Sequence, residues 1–218
     1  MIRILSNSVA LLVATALPVL SADFNTAIEA LRSGDPGTGA AIFHDLAQAG
    51  DGDAMFNLAL LYNSGLGVPK NLELALYWAW KARLSAVPRA LALIPKLETG
   101  LSKDVRARLH DRLLDEVAST AGILDPESFL RLALVEEGLA EKPDRVQVYV
   151  WYSLAAAMGH PKAPRLRDQS ALLLSPKEAA LAEPKALEDF AVWCAASPVM
   201  PAACNVLAQA EPVAQSEG

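Results

Sequence analysis

One feature governs what this chain can fold into: it repeats itself at a constant offset of 73 residues. Gly65-Leu66 is matched by Gly138-Leu139, Trp78 by Trp151 and Ala82 by Ala155. The same offset pairs Pro88 with Pro161, Ala90 with Ala163, Leu93 with Leu166, Leu101-Ser102 with Leu174-Ser175, and Leu114 with Leu187. The register runs without a gap from residues 54–117 to residues 127–190. Two alanine-rich helical stretches share several identities by chance, but seldom tryptophan, glycine and proline together. An internal duplication of this length means stacked supersecondary units that bury their faces against their neighbours.

Each copy reads as four helices. In the first, Ala54, Leu58, Leu61 and Tyr62 recur at helical spacing, and Gly65 and Gly67 supply the turn. Asn71 caps a second helix with the face Ala75, Trp78, Ala79 and Ala82. Pro88 suits the start of a third, and Ser102 caps a fourth. In the second copy the matching signals are Asp125-Pro126, Asp144, Pro161 and the capping box of Ser175-Pro176-Lys177-Glu178. Phe24 to Leu31 and Gly39 to Gln48 read as one more antiparallel pair, and Ser33-Gly34-Asp35-Pro36-Gly37 as the turn between them. About forty of the 218 residues are alanine, the strongest helix former, which fits an all-α fold.

The stretch from Ala54 through Leu58, Tyr62, Gly65-Leu66-Gly67-Val68 and Asn71 to Ala75, Trp78, Lys81 and Ala82 resembles a Sel1-like repeat. It departs from the family pattern at Ala59, where glycine is usual, and at Asn71, where aspartate is. This close unit covers residues 54–86. A degenerate one covers 127–159, keeping Gly138, Asp144, Trp151 and Ala155 but carrying Val135 where the tyrosine belongs and lacking the second glycine. Residues 87–119 resemble the pattern little, and 27–50 fit a leading half-repeat. The resemblance implies an all-α, right-handed superhelical α-solenoid of antiparallel helix pairs, similar to tetratricopeptide arrays, spanning residues 23–210. On that reading Tyr62, Trp78 and Trp151 are core residues.

The two ends read differently. Residues 1–22 have a secretory signal's form, with Arg3 as the charged start, an apolar run from Val9 to Leu20, and cleavage expected after Ala22. The run is shorter than the roughly 20 residues a membrane span needs. Cys194 and Cys204 are the only cysteines, and in an exported chain they are expected to form a disulfide. Residues 211–218 read as a disordered tail. The expected location is periplasmic or secreted, in a bacterial source, with no stable membrane insertion after cleavage.

Little chemistry is visible. His44, His110 and His160 stand far apart, so no metal site is expected, and no phosphate-binding glycine loop or nucleophile motif occurs, so no cofactor is expected either. Removing Arg3 with the signal leaves 18 basic against 25 acidic residues, net −7, which disfavours nucleic acid. Glu136-Glu137 read as solvated surface, and residues 103–112 as an exposed, mixed-charge helix face. Phe56, Tyr77 and Trp80 stand out as rings where the repeat is usually polar, which suggests either packing under an irregular neighbour or a protein-binding patch; the patch is the expectation carried forward. The sequence thus predicts a non-catalytic adaptor or regulator whose partner is another protein or peptide. The rival is a cell-wall hydrolase or peptidoglycan-binding module with a dispersed site.

Overall fold

The computed structural model describes residues 23–120, 125–197 and 204. Among these, ten helices follow in order: α1 (Phe24–Arg32), α2 (Pro36–Gln48), α3 (Gly52–Ser64), α4 (Leu72–Leu84), α5 (Ala90–Glu98), α6 (Lys103–Thr120), α7 (Pro126–Leu139), α8 (Arg145–Ala157), α9 (Ala163–Ala171) and α10 (Pro176–Ala196). Helices α4, α5 and α6 begin at 72, 90 and 103; α8, α9 and α10 begin at 145, 163 and 176, each 73 residues later. The signal-sequence expectation for residues 1–22 and the disordered-tail expectation for 211–218 lie outside the described residues.

Eight of the ten helices start where a short polar side chain offers itself to an orphan backbone N–H; α5 and α9 have no side-chain cap. Asp23, Asp35, Asp51, Asn71, Asp125 and Asp144 each accept from the amide three residues on. Ser175 forms the full capping box with Glu178, and the Ser102 hydroxyl accepts from the Val105 amide. Pro88 and Pro161 sit in the turn just ahead of α5 and α9, not inside their first turn. The turn between α1 and α2 is shorter than five residues, because Asp35 already caps α2 and Pro36 begins it.

Helices α1 to α4 pack each on the next, α4 also meets α5 and α6, and α6 passes the stack to α7, then α8. Helix α8 in turn packs against α9 and α10. This is an α-solenoid, in which every element buries its apolar stripe against near neighbours in sequence. One core runs from Ala27 and Phe43 through Trp80 to Leu113, and takes in Val135 and Leu139 of α7. A second joins Phe129, Val150, Tyr152 and Phe190 with Cys204. Leu114, Val117 and Leu134 pack against both, so the two cores are stitched at the α6–α7 contact.

The aligned glycines do different work in the two copies. Gly65 ends α3 with φ 76°. Gly67, at φ 74°, lies so close to α2 that a Cβ there would fall 2.0 Å from the Pro36 carbonyl oxygen. Gly138 is helical, and makes room for Trp80 instead: a Cβ would stand 2.6 Å from the Trp80 ring. The position matching Gly67 is Ala140, whose extended backbone (φ −62°, ψ 139°) needs no glycine. The turn of the second unit therefore needs no second glycine.

Candidate functional site

A groove of about 910 Å³ opens along one face of the solenoid, lined by residues of α2, α3, α4, α6 and the start of α7. Its floor is a ladder of rings supplied by helix register. Positions 77, 78 and 81 of α4 point toward α2 and α6, and Tyr77 packs edge-on to Trp78 with centroids 5.1 Å apart. His44 of α2 meets the far side of Trp78 at 6.1 Å, and the Arg112 guanidinium lies 3.9 Å over the Tyr77 ring. Such a guanidinium–ring contact is favourable, the more so when partly shielded from water. A smaller cavity of about 260 Å³ adjoins it and shares His44 and Tyr62.

At the α4–α6 side, three donors converge on one carboxylate. The Tyr77 hydroxyl donates to Glu116 at 2.9 and 3.0 Å, Lys81 Nζ at 3.1 Å and Arg112 Nε at 2.9 Å. Burial alone would raise the Glu116 carboxyl, but the bonds from Arg112, Lys81 and Tyr77 outweigh it and hold the group below its ordinary value. Burial, reinforced by Glu116, pushes the Tyr77 phenol up to about 12. The cluster thus gathers a phenol, a lysine and an arginine on one carboxylate, a fixed charge pattern on the groove wall.

The far rim is polar. Asp125 caps α7 through Ser128, and Arg131 Nε donates to Glu127 at 3.2 Å, while Glu127 also faces His160 Nε2 at 3.1 Å. No group of three or more histidine, cysteine or acidic side chains placed to hold a metal occurs among the described residues.

The expected ring patch is corrected by this geometry. Trp80 is completely buried, wedged against Gly138 with Arg83 over its ring at 4.5 Å, and presents nothing to a partner. Phe56 is half-buried under the Arg89 guanidinium, at 4.6 Å, and is not part of the groove lining. Tyr77 alone of the three lines the groove, with 6% of its surface exposed. The α4 helix buries every position from Ala75 to Trp80, because α3 covers one side of it and α5 and α6 the other. The polar face of an ordinary surface helix does not exist there.

A second correction concerns Glu136, expected to be solvated. It is buried and accepts from the Asp144 amide at 2.8 Å, with His110 Nε2 2.7 Å away. Its neighbour Glu137 accepts the Tyr152 hydroxyl at 2.8 Å. Both carboxylates tie the start of α8 and its core tyrosine to α7. Cys194 and Cys204 are joined in a disulfide, with Cα atoms 5.7 Å apart.

Sequence reasoning missed the Lys81–Glu116–Arg112 cluster. The Arg112 and Glu116 spacing of four on one helix was readable as an ion pair. Nothing local, however, pointed Glu116 at α4, 35 residues upstream.

Helix pairs stacked in this way define a helical-repeat protein, and comparison with known proteins sharpens the class. The Sel1 repeat family matches residues 52–83 and 130–160, so the chain carries two Sel1 repeats. Sel1 repeats are protein-interaction modules. Among solved structures, a protective antigen present in uropathogenic Escherichia coli strains and displaying an SLR fold is 18% identical, with a TM-score of 0.34. The match covers 89% of this chain and 49% of that one, so this chain spans about half the length of that protein. No curated protein matches the chain. No helix of the described residues is long and apolar enough to cross a membrane.

Proposed function

We propose that this chain is an exported, non-catalytic adaptor or regulator that holds another protein in the groove across α2, α3, α4, α6 and α7. One observation carries the reading: a continuous groove of about 910 Å³ crosses five elements and is floored by the His44–Trp78–Tyr77–Arg112 ladder. Aromatic and arginine side chains in one concave face are the residue types that anchor protein contacts. The Tyr77, Lys81 and Arg112 side chains are gathered on Glu116, an arrangement that suits holding a ligand. The disulfide fits an oxidising compartment, as does a leader removed after Ala22.

Affinity purification from the cell envelope tests the reading. The wild-type chain should retain a protein that is lost with Trp78→Ala while helicity and melting stay cooperative. Retention of every co-purifying protein by that variant would contradict it. So would hydrolysis of purified cell wall by the wild-type chain. Mass spectrometry of the envelope protein should find its first residue at Asp23; an intact leader would refute export by cleavage.

A further inference from the structure

We infer that the groove's occupant is an acidic peptide segment, one with an aspartate or glutamate beside a large apolar side chain. This rests on the protein-binding reading of the same groove and names its ligand chemistry. The argument is an inventory of donors and acceptors. A guanidinium carries five N–H donors and an ammonium three. Among the described residues, Arg112 gives Nε to Glu116 and lies over the Tyr77 ring, and Lys81 gives one bond to the same carboxylate. Arg131 gives Nε to Glu127.

Both carboxylates on the lining already accept bonds from the protein. Glu116 takes the bonds from Tyr77, Lys81 and Arg112, and Asp125 Oδ1 takes the Ser128 amide. The remaining donors face solvent: the Arg112 side chain is 51% exposed and that of Arg131 40%. A partner that excludes this water must bring acceptors of its own, or leave cations desolvated and unpaired. A carboxylate matches the guanidinium fork in geometry and in charge.

The charge pattern agrees. The chain is acidic overall, with 25 acidic residues against 19 basic ones, yet three lysine or arginine side chains line this groove against two carboxylates. Next to the cations, Trp78 and Tyr77 form an apolar wall continued by Leu74 and Leu84. A ligand that satisfies both halves carries an acid and a bulky apolar residue side by side.

Panning a display library of random octapeptides on the folded wild-type protein tests this, with fluorescence anisotropy of the best binders as the readout. The expected result is enrichment of aspartate or glutamate next to leucine or an aromatic. The Lys81→Gln/Arg112→Gln variant should bind those peptides about tenfold more weakly or worse. Because that variant strips Glu116 of two partners, Arg131→Gln serves as a second probe that leaves the Tyr77 cluster intact, and should also weaken binding. Enrichment of basic or uncharged peptides that Trp78→Ala abolishes would overturn the acidic ligand and leave the groove reading standing. Binding of acidic peptides unchanged in both cation variants would overturn the inference as well. If no peptide's binding responds to any of the three variants, both readings fall.

Discussion

At the scale of single residues, the structure turns on where two side chains sit. Trp80 and Gly138 are a matched pair, a large ring on α4 and the missing Cβ on α7 that admits it. Gly138→Ala forces the ring or Arg83 to shift, and should cost about 1–3 kcal/mol even though alanine favours the helix. Chemical denaturation measures it; an unchanged midpoint would refute the wedge. Glu116 makes a different prediction. Its folded-state carboxyl lies below its ordinary value, so it contributes stability above that ordinary value and loses it as pH falls through the folded one. The melting temperature of Glu116→Gln should therefore fall below wild type at neutral pH and converge with it in acid. A gap that persists at low pH would show that Glu116 acts through packing and not through charge.

At the scale of elements, the chain is legible to an unusual degree. Caps at Asn71, Asp125, Asp144 and Ser175 were readable because an N-cap is a local event, one side chain and one amide three residues on. The helix starts at 72, 90 and 103 return at 145, 163 and 176 because the same punctuation recurs. Which faces are wet was less legible. For Tyr77 and Trp80 single-helix reasoning allows either a contact patch or burial, and for Glu136 it suggests solvent; all three are buried. Burial on a central helix such as α4 is decided by its neighbours, and the period of its own residues does not record them. Ser175→Ala should lower stability by about 1 kcal/mol, read as a shift in denaturation midpoint. Reducing the Cys194–Cys204 bridge should cost about 2–3 kcal/mol, on the chain-entropy account of a short closed loop.

At the scale of the whole molecule, stacking makes both the stability and the groove. Two cores meet through Leu114, Val117 and Leu134, and the groove runs over that junction, from α2 in the first core to the start of α7 in the second. The duplication could be read from sequence, but the groove could not. It arises where α4 and α6 meet and turn Tyr77, Lys81 and Glu116 toward one another. The most direct test replaces His44, on the groove wall, with a photo-crosslinking amino acid and irradiates cells expressing the full chain. The account predicts a discrete crosslinked protein at position 44 that is absent when the same probe replaces Glu29 on the exposed side of α1. A crosslink at position 29 with none at position 44 would contradict it.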